Sequence, residues 1–187
     1  MTPRNPHGDP PTPDWPKAPS RMAALLPADE AAPTPGDIKG RLMAADIQVE
    51  GFTRYADKDP ERGGWTMAAS LRVQGREEPG DYVIGLRENV GELPDLLWEP
   101  KLTQGEREQA LKSAHAITVE TEFGDEPLAD FHRQARVLVA AAPGAVAFLD
   151  GSAAETHSGA WLRDLAAAGV PPGATATFRI HAVAEGE

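Results

Sequence analysis

From Trp65 to Gln74 the chain alternates strictly, with Trp65, Met67, Ala69, Leu71 and Val73 on one side and Thr66, Ala68, Ser70, Arg72 and Gln74 on the other. A period of two is that of a strand buried on one face only. Tyr82, Ile84 and Leu86 repeat the alternation, and Ile47 with Val49 opens a similar segment running to Thr53. The connections 57–64 and 75–80 are charged and glycine-rich, the composition of antiparallel turns. Ahead of them, Arg21 to Leu26 is short, apolar and stopped by Pro27, which predicts a first strand. Thr34-Pro35 predicts an N-cap with proline at the first helical position, and Ile38, Leu42 and Ala45 follow at helical spacing.

From Leu102 to Val183 helical and extended patterns alternate. Thr103 with Glu106 forms a capping-box pattern, opening a helix whose apolar side is Ala110, Leu111 and Ala114. A strand follows, with Ile117, Val119 and Phe123 on one face and Thr118, Glu120 and Glu122 on the other, so one side only should be covered. Pro127 starts a helix with the stripe Leu128, Phe131, Ala135, Leu138 and Ala142, ended by Pro143. His132, four residues from Arg136, reads as packing at that helix's edge. Ala145 to Leu149 is apolar on both sides, which predicts burial on both faces and a central place in the sheet. Ser158 caps a third helix with Trp161, Leu162 and Leu165 inward, ended at Gly169 and Pro171-Pro172, and a last strand is expected over Thr175 to Val183.

Alternating strands and helices combined with antiparallel segments predict an α+β fold: a mixed sheet with helices packed on it, ferredoxin-like in at least one half. Residues 1–19 hold seven prolines and one large apolar residue, Trp15, and are expected to be a disordered tail preceding one α+β domain over 20–187. The tail should be dispensable for folding.

The absence of cysteine excludes disulfides, thiolate zinc sites and cysteine nucleophiles. No apolar leader or membrane span is legible, so the chain is read as soluble and cytoplasmic. The net charge of -11 belongs wholly to the part after the tail, where Arg4 and Lys17 cancel Asp9 and Asp14. Such a surface repels nucleic acid and anionic lipid and suits a basic partner. No nucleophile elbow, phosphate loop, dinucleotide fingerprint or zinc spacing occurs.

The segments Pro143-Gly-Ala-Val-Ala-Phe-Leu-Asp150, Ser158-Gly-Ala-Trp-Leu162 and Phe178-Arg-Ile-His-Ala-Val183 resemble an uncharacterised bacterial family of unknown function. Its members often continue into a second uncharacterised domain, whereas this chain stops at Glu187. The resemblance covers about Arg21 to Val183, implies no catalytic residues, and favours a binding or immunity-like role.

Candidate residues follow from position. Asp150 closes the apolar strand, and Glu155 and His157 come shortly after it. Two carboxylates and an imidazole could bind a divalent metal or act as acid and base. The plainer expectation is that Asp150 bonds loop amides while Glu155 and His157 are solvated and the three diverge. Arg179 and His181 share a polar strand side that could face Glu120 or Glu122, and Trp161 is expected in the core. The leading expectation is a non-catalytic cytoplasmic binding or regulatory domain for a protein partner, without cofactor or metal. The alternative is a metal-dependent hydrolase using Asp150, Glu155 and His157.

Overall fold

The computed structural model describes residues 19–55, 64–75, 77–88, 102–151 and 155–173. The Pro-rich segment with Trp15, the 57–63 turn and the last expected strand with Arg179 and His181 lie outside them. The elements run β1 (Ser20–Leu25), α1 (Pro35–Ala44), β2 (Gln48–Tyr55), β3 (Trp65–Arg72), β4 (Gly80–Glu88), α2 (Gln104–Lys112), β5 (His115–Thr121), α3 (Pro127–Ala141), β6 (Ala147–Asp150), β7 (Glu155–Ser158) and α4 (Gly159–Ala167).

The local signals place the helix starts well. Thr34 and Asp37 form a reciprocal capping box at α1, as do Thr103 and Glu106 at α2. The Thr34 hydroxyl and backbone N–H both donate to Asp37, which holds that carboxyl below the usual aspartate range. Ser158 accepts from the Trp161 N–H to cap α4. Gly159, directly after the cap, lies so close to Ala145 that an added Cβ would overlap its carbonyl oxygen. That contact explains the glycine of the Ser158-Gly-Ala-Trp-Leu162 segment.

The seven strands form one sheet in the order β2-β3-β4-β5-β1-β6-β7, and every described pairing is antiparallel. The expected mixed sheet is therefore corrected to an antiparallel one within an α+β fold. The connections between β2, β3 and β4 are each shorter than a parallel crossover needs. Because β1 lies between β5 and β6 and runs against both, β5-α3-β6 is a split β-α-β unit, the ferredoxin-like half anticipated above.

Phe148 and Leu149 are buried on opposite faces of β6, as the doubly apolar sequence predicts. Its position differs from expectation, since β6 is next to the edge strand β7 and the central strand is β5. Burial on both faces comes instead from helices on each side. Helices α1, α3 and α4 bury one face with Met22, Met67, Leu71, Ile84, Val119, Phe131, Leu138 and Phe148. On the other face α2 contributes Ala110 to a small cluster with Leu25, Ala116, Ala147 and Leu149. Leu111, expected on the inward side of α2, is exposed, because so short a helix buries only a narrow strip. Beyond that cluster, the β2-β3-β4 end of the outer face has no described element over it.

Candidate functional site

Asp150, Glu155 and His157 do not spread along a solvated loop. Residues 155–158 form β7, in register with β6, so Asp150 faces Glu155 and Phe148 faces His157 across the ladder. Side chains two apart on a strand share a face, which puts Phe148, Asp150, Glu155 and His157 together beneath α4. His157 Nε2 lies 3.2 Å from Glu155 Oε2, and the three polar residues are only 3%, 6% and 7% exposed in chain order. The expectation of solvation is thus overturned, and Glu155 and His157 meet rather than diverge. Trp161 stacks on the His157 ring at 4.0 Å between centroids and 12° between planes, and Phe148 lies 6.0 Å from Trp161. Trp161, half-buried against the main core, occupies the packing position predicted for it. The carboxylate fixes the imidazole orientation and the indole covers its face, so this cluster seals the end of the core. Among the described residues, no three His, Asp or Glu side chains are grouped so as to hold a metal ion.

Glu120 and Glu122 lie elsewhere, on the face that no described element covers at that end. Glu120 projects outward from β5, while Glu122 follows the strand and is exposed. Both edges of β5 are occupied at Glu120, by β4 and by β1. Register sets a row across the face, Thr53, Ala68, Val83 and Glu120, continued on β1 by Arg21. Arg21 Nε donates to Glu120 Oε1 at 2.8 Å. The next row is Gly51, Ser70 and Asp81. These residues line a groove of about 860 Å³, with Asp81, Glu120 and Glu122 as its carboxylates and Phe52, Val83 and Phe123 as its apolar part. The small side chains of Gly51, Ala68 and Ser70 make the surface concave.

The groove is braced from behind by polar side chains that sequence reasoning overlooked. Thr121 Oγ1 donates to the Asp81 carbonyl at 2.8 Å. The Gly124 N–H, at the groove wall, donates to Asp130 Oδ2 at 2.7 Å, while Arg133 Nη2 donates to Asp130 Oδ1 at 2.7 Å. Gln134, wholly buried, donates from Nε2 to the carbonyls of Ser20 (2.9 Å) and Val119 (2.8 Å) and accepts from Ser20 Oγ at 2.9 Å. It joins α3 to β1 and β5. A helix carrying so many polar residues in its middle turns reads as half-solvated, and the one available signal was that Asp130, Arg133 and Gln134 fall in the same turn as Phe131 and Ala135. His132 is buried too, which pushes its pKa below the usual histidine value against the opposing pull of the Leu165 and Ala166 backbone.

The fold and groove define an α+β domain with one helix-covered sheet face and one acidic, partly open face. Its residues 20–172 match the model described as protein of unknown function (DUF4026), N-terminal, and the chain belongs to that family. No curated protein and no solved structure matches it. No helix among the described residues is long and apolar enough to cross a membrane.

Proposed function

We propose that this protein is a cytoplasmic, non-catalytic binding domain whose acidic groove takes a basic segment of a protein partner. The observation that carries the reading is the groove itself, a concave patch on a sheet face that no described element covers, lined by three carboxylates from β4, β5 and the segment after β5. Glu120 already accepts a guanidinium from Arg21, and an arginine or lysine of a partner would meet the same chemistry at Asp81 and Glu122. The net charge of -11 steers such a partner and repels nucleic acid. The apolar edge at Val83 supplies the desolvated contact that charge alone lacks.

Retention of a partner from source-cell extract by the wild-type chain, weakened by moderate salt and lost in the double variant Asp81→Lys/Glu122→Lys, is the expected result. Equal retention by the variant would remove the groove from the account. Retention of nothing at either salt would remove the binding role.

The alternative, a metal-dependent hydrolase, draws support from the contact between Glu155 and His157 and is opposed by their burial. It becomes the better account if zinc, manganese or magnesium gives a saturable rise in melting temperature that disappears in both His157→Ala and Asp150→Ala.

A further inference from the structure

A second concavity, of about 500 Å³, lies on the helix-bearing side, where the α1-β2 corner, the end of β3, α3 and α4 meet. Arg136 and Arg163 both line it. Their situation differs from that of the chain's other well-placed arginines. Arg21, Arg41, Arg72 and Arg133 each have a carboxylate, from Glu120, Glu30, Glu50 and Asp130 in turn. Arg136 instead donates to the neutral Gln74 side-chain oxygen at 2.7 Å, and Arg163 to the backbone carbonyls of Ala145 (3.0 Å) and Pro143 (3.4 Å). Among the described residues neither has an ion-pair partner. In a chain with 29 acidic against 18 basic residues, carboxylates are in ample supply, so two unneutralised guanidinium groups facing one cleft are an unexpected concentration of positive charge. Concave, partly apolar walls strengthen that local field.

The rest of the lining limits what could fit. Val73, Val139, Ala140 and Ala166 form an apolar wall, and among the described residues Asp46 is the one carboxylate there. Two arginines against one aspartate leave a single positive charge in excess, which suits one negative charge better than a polyphosphate. We propose that this cleft binds an amphipathic organic monoanion, a carboxylate on a short apolar body, with Arg136 and Arg163 as its guanidinium donors. The planar guanidinium matches a carboxylate by paired N–H donors, and the valine and alanine wall accepts the chain. The site is independent of the acidic groove on the opposite face of the sheet.

The test is calorimetric titration of the full chain with octanoate, 1-octanol and monohexyl phosphate. Octanoate should bind saturably and at least about tenfold more tightly than octanol, which shares the body but not the charge. Arg136→Gln, which gives up only a bond to an exposed glutamine, should weaken octanoate by about tenfold at unchanged melting temperature. Arg163→Gln also loses its carbonyl bonds, so its melting temperature is read first and Arg136→Gln carries the decision. Equal binding of octanoate and octanol, no binding of octanoate, an unaltered affinity in Arg136→Gln, or tighter binding of monohexyl phosphate than of octanoate would each overturn the assignment.

Discussion

Two groups of acidic residues meet opposite fates on this one sheet. Asp150 and Glu155 are near neighbours in sequence, face each other across the β6-β7 ladder and are buried with His157 beneath Trp161. Asp81 on β4 and Glu120 and Glu122 at the end of β5 share an open groove. The difference is one of cover. At the β7 end α4 lies on the strands and Glu155 is held against His157, since an unpartnered buried carboxylate would cost several kcal/mol. At the β2-β4 end the outer face has no described cover, so the carboxylates keep their hydration and their capacity for an outside partner. Proximity in sequence does not separate the two groups; cover does, and the group left open makes the better binding surface.

The sharpest way to break this comparison is to hollow the covered end. Phe148→Ala should destabilise the protein by about 3 to 5 kcal/mol in chemical denaturation, through lost burial and a residual cavity. A loss below about 1 kcal/mol would show that the helix-bearing face of β6 is not packed as described. Next comes the lock behind the groove. Asp130→Asn leaves the Arg133 charge buried without its principal carboxylate and with at most one acceptor for Arg133 and the Gly124 amide together, so a loss of about 3 kcal/mol is expected from the same measurement. Glu126, 3.9 Å from Arg133 and largely exposed, would recover little of it. On the open face the reverse holds: Asp81→Lys and Glu122→Lys should each stay within about 0.5 kcal/mol of wild type. A larger loss at either position would mean that the groove carboxylates are structural after all.

The subtlest test is titration of His132, buried on the covered side and flanked by Arg133 and Arg136, whose charges also disfavour its protonation. With a folded-state pKa depressed below that of the unfolded chain, the unfolded state takes up the proton first. Stability from the neutral ring is therefore complete above the unfolded value of about 6.5 and declines as pH falls from there toward the folded pKa. In His132→Gln the melting temperature should fall less steeply between pH 7 and pH 5 than in wild type. Identical slopes would mean that another group carries the acid response.

Much of the fold could be read from periodicity and caps, because these depend on residues within a few positions of one another. The alternation of β3 and β4, both capping boxes, Ser158 at the start of α4 and the double burial of β6 all belong to that local class. Strand β7 does not. Glu155-Thr-His-Ser158 has no apolar alternation, and it is a strand because β6 pairs with it and α4 covers it. Gln134 sits unexposed in a helix whose sequence offers no reason for a buried amide, since its partners on β1 and β5 are 114 and 15 residues away. The acidic groove is likewise invisible in one dimension: Asp81 and Glu120 reach one groove only because β4 pairs with β5, with Val83 opposite Glu120. What the chain alone determined were its short-range periods, its helix caps and its excess negative charge. Which charges were buried and paired and which were left to water was decided by strand order and helix placement, because desolvation depends on neighbours that only the folded chain brings together.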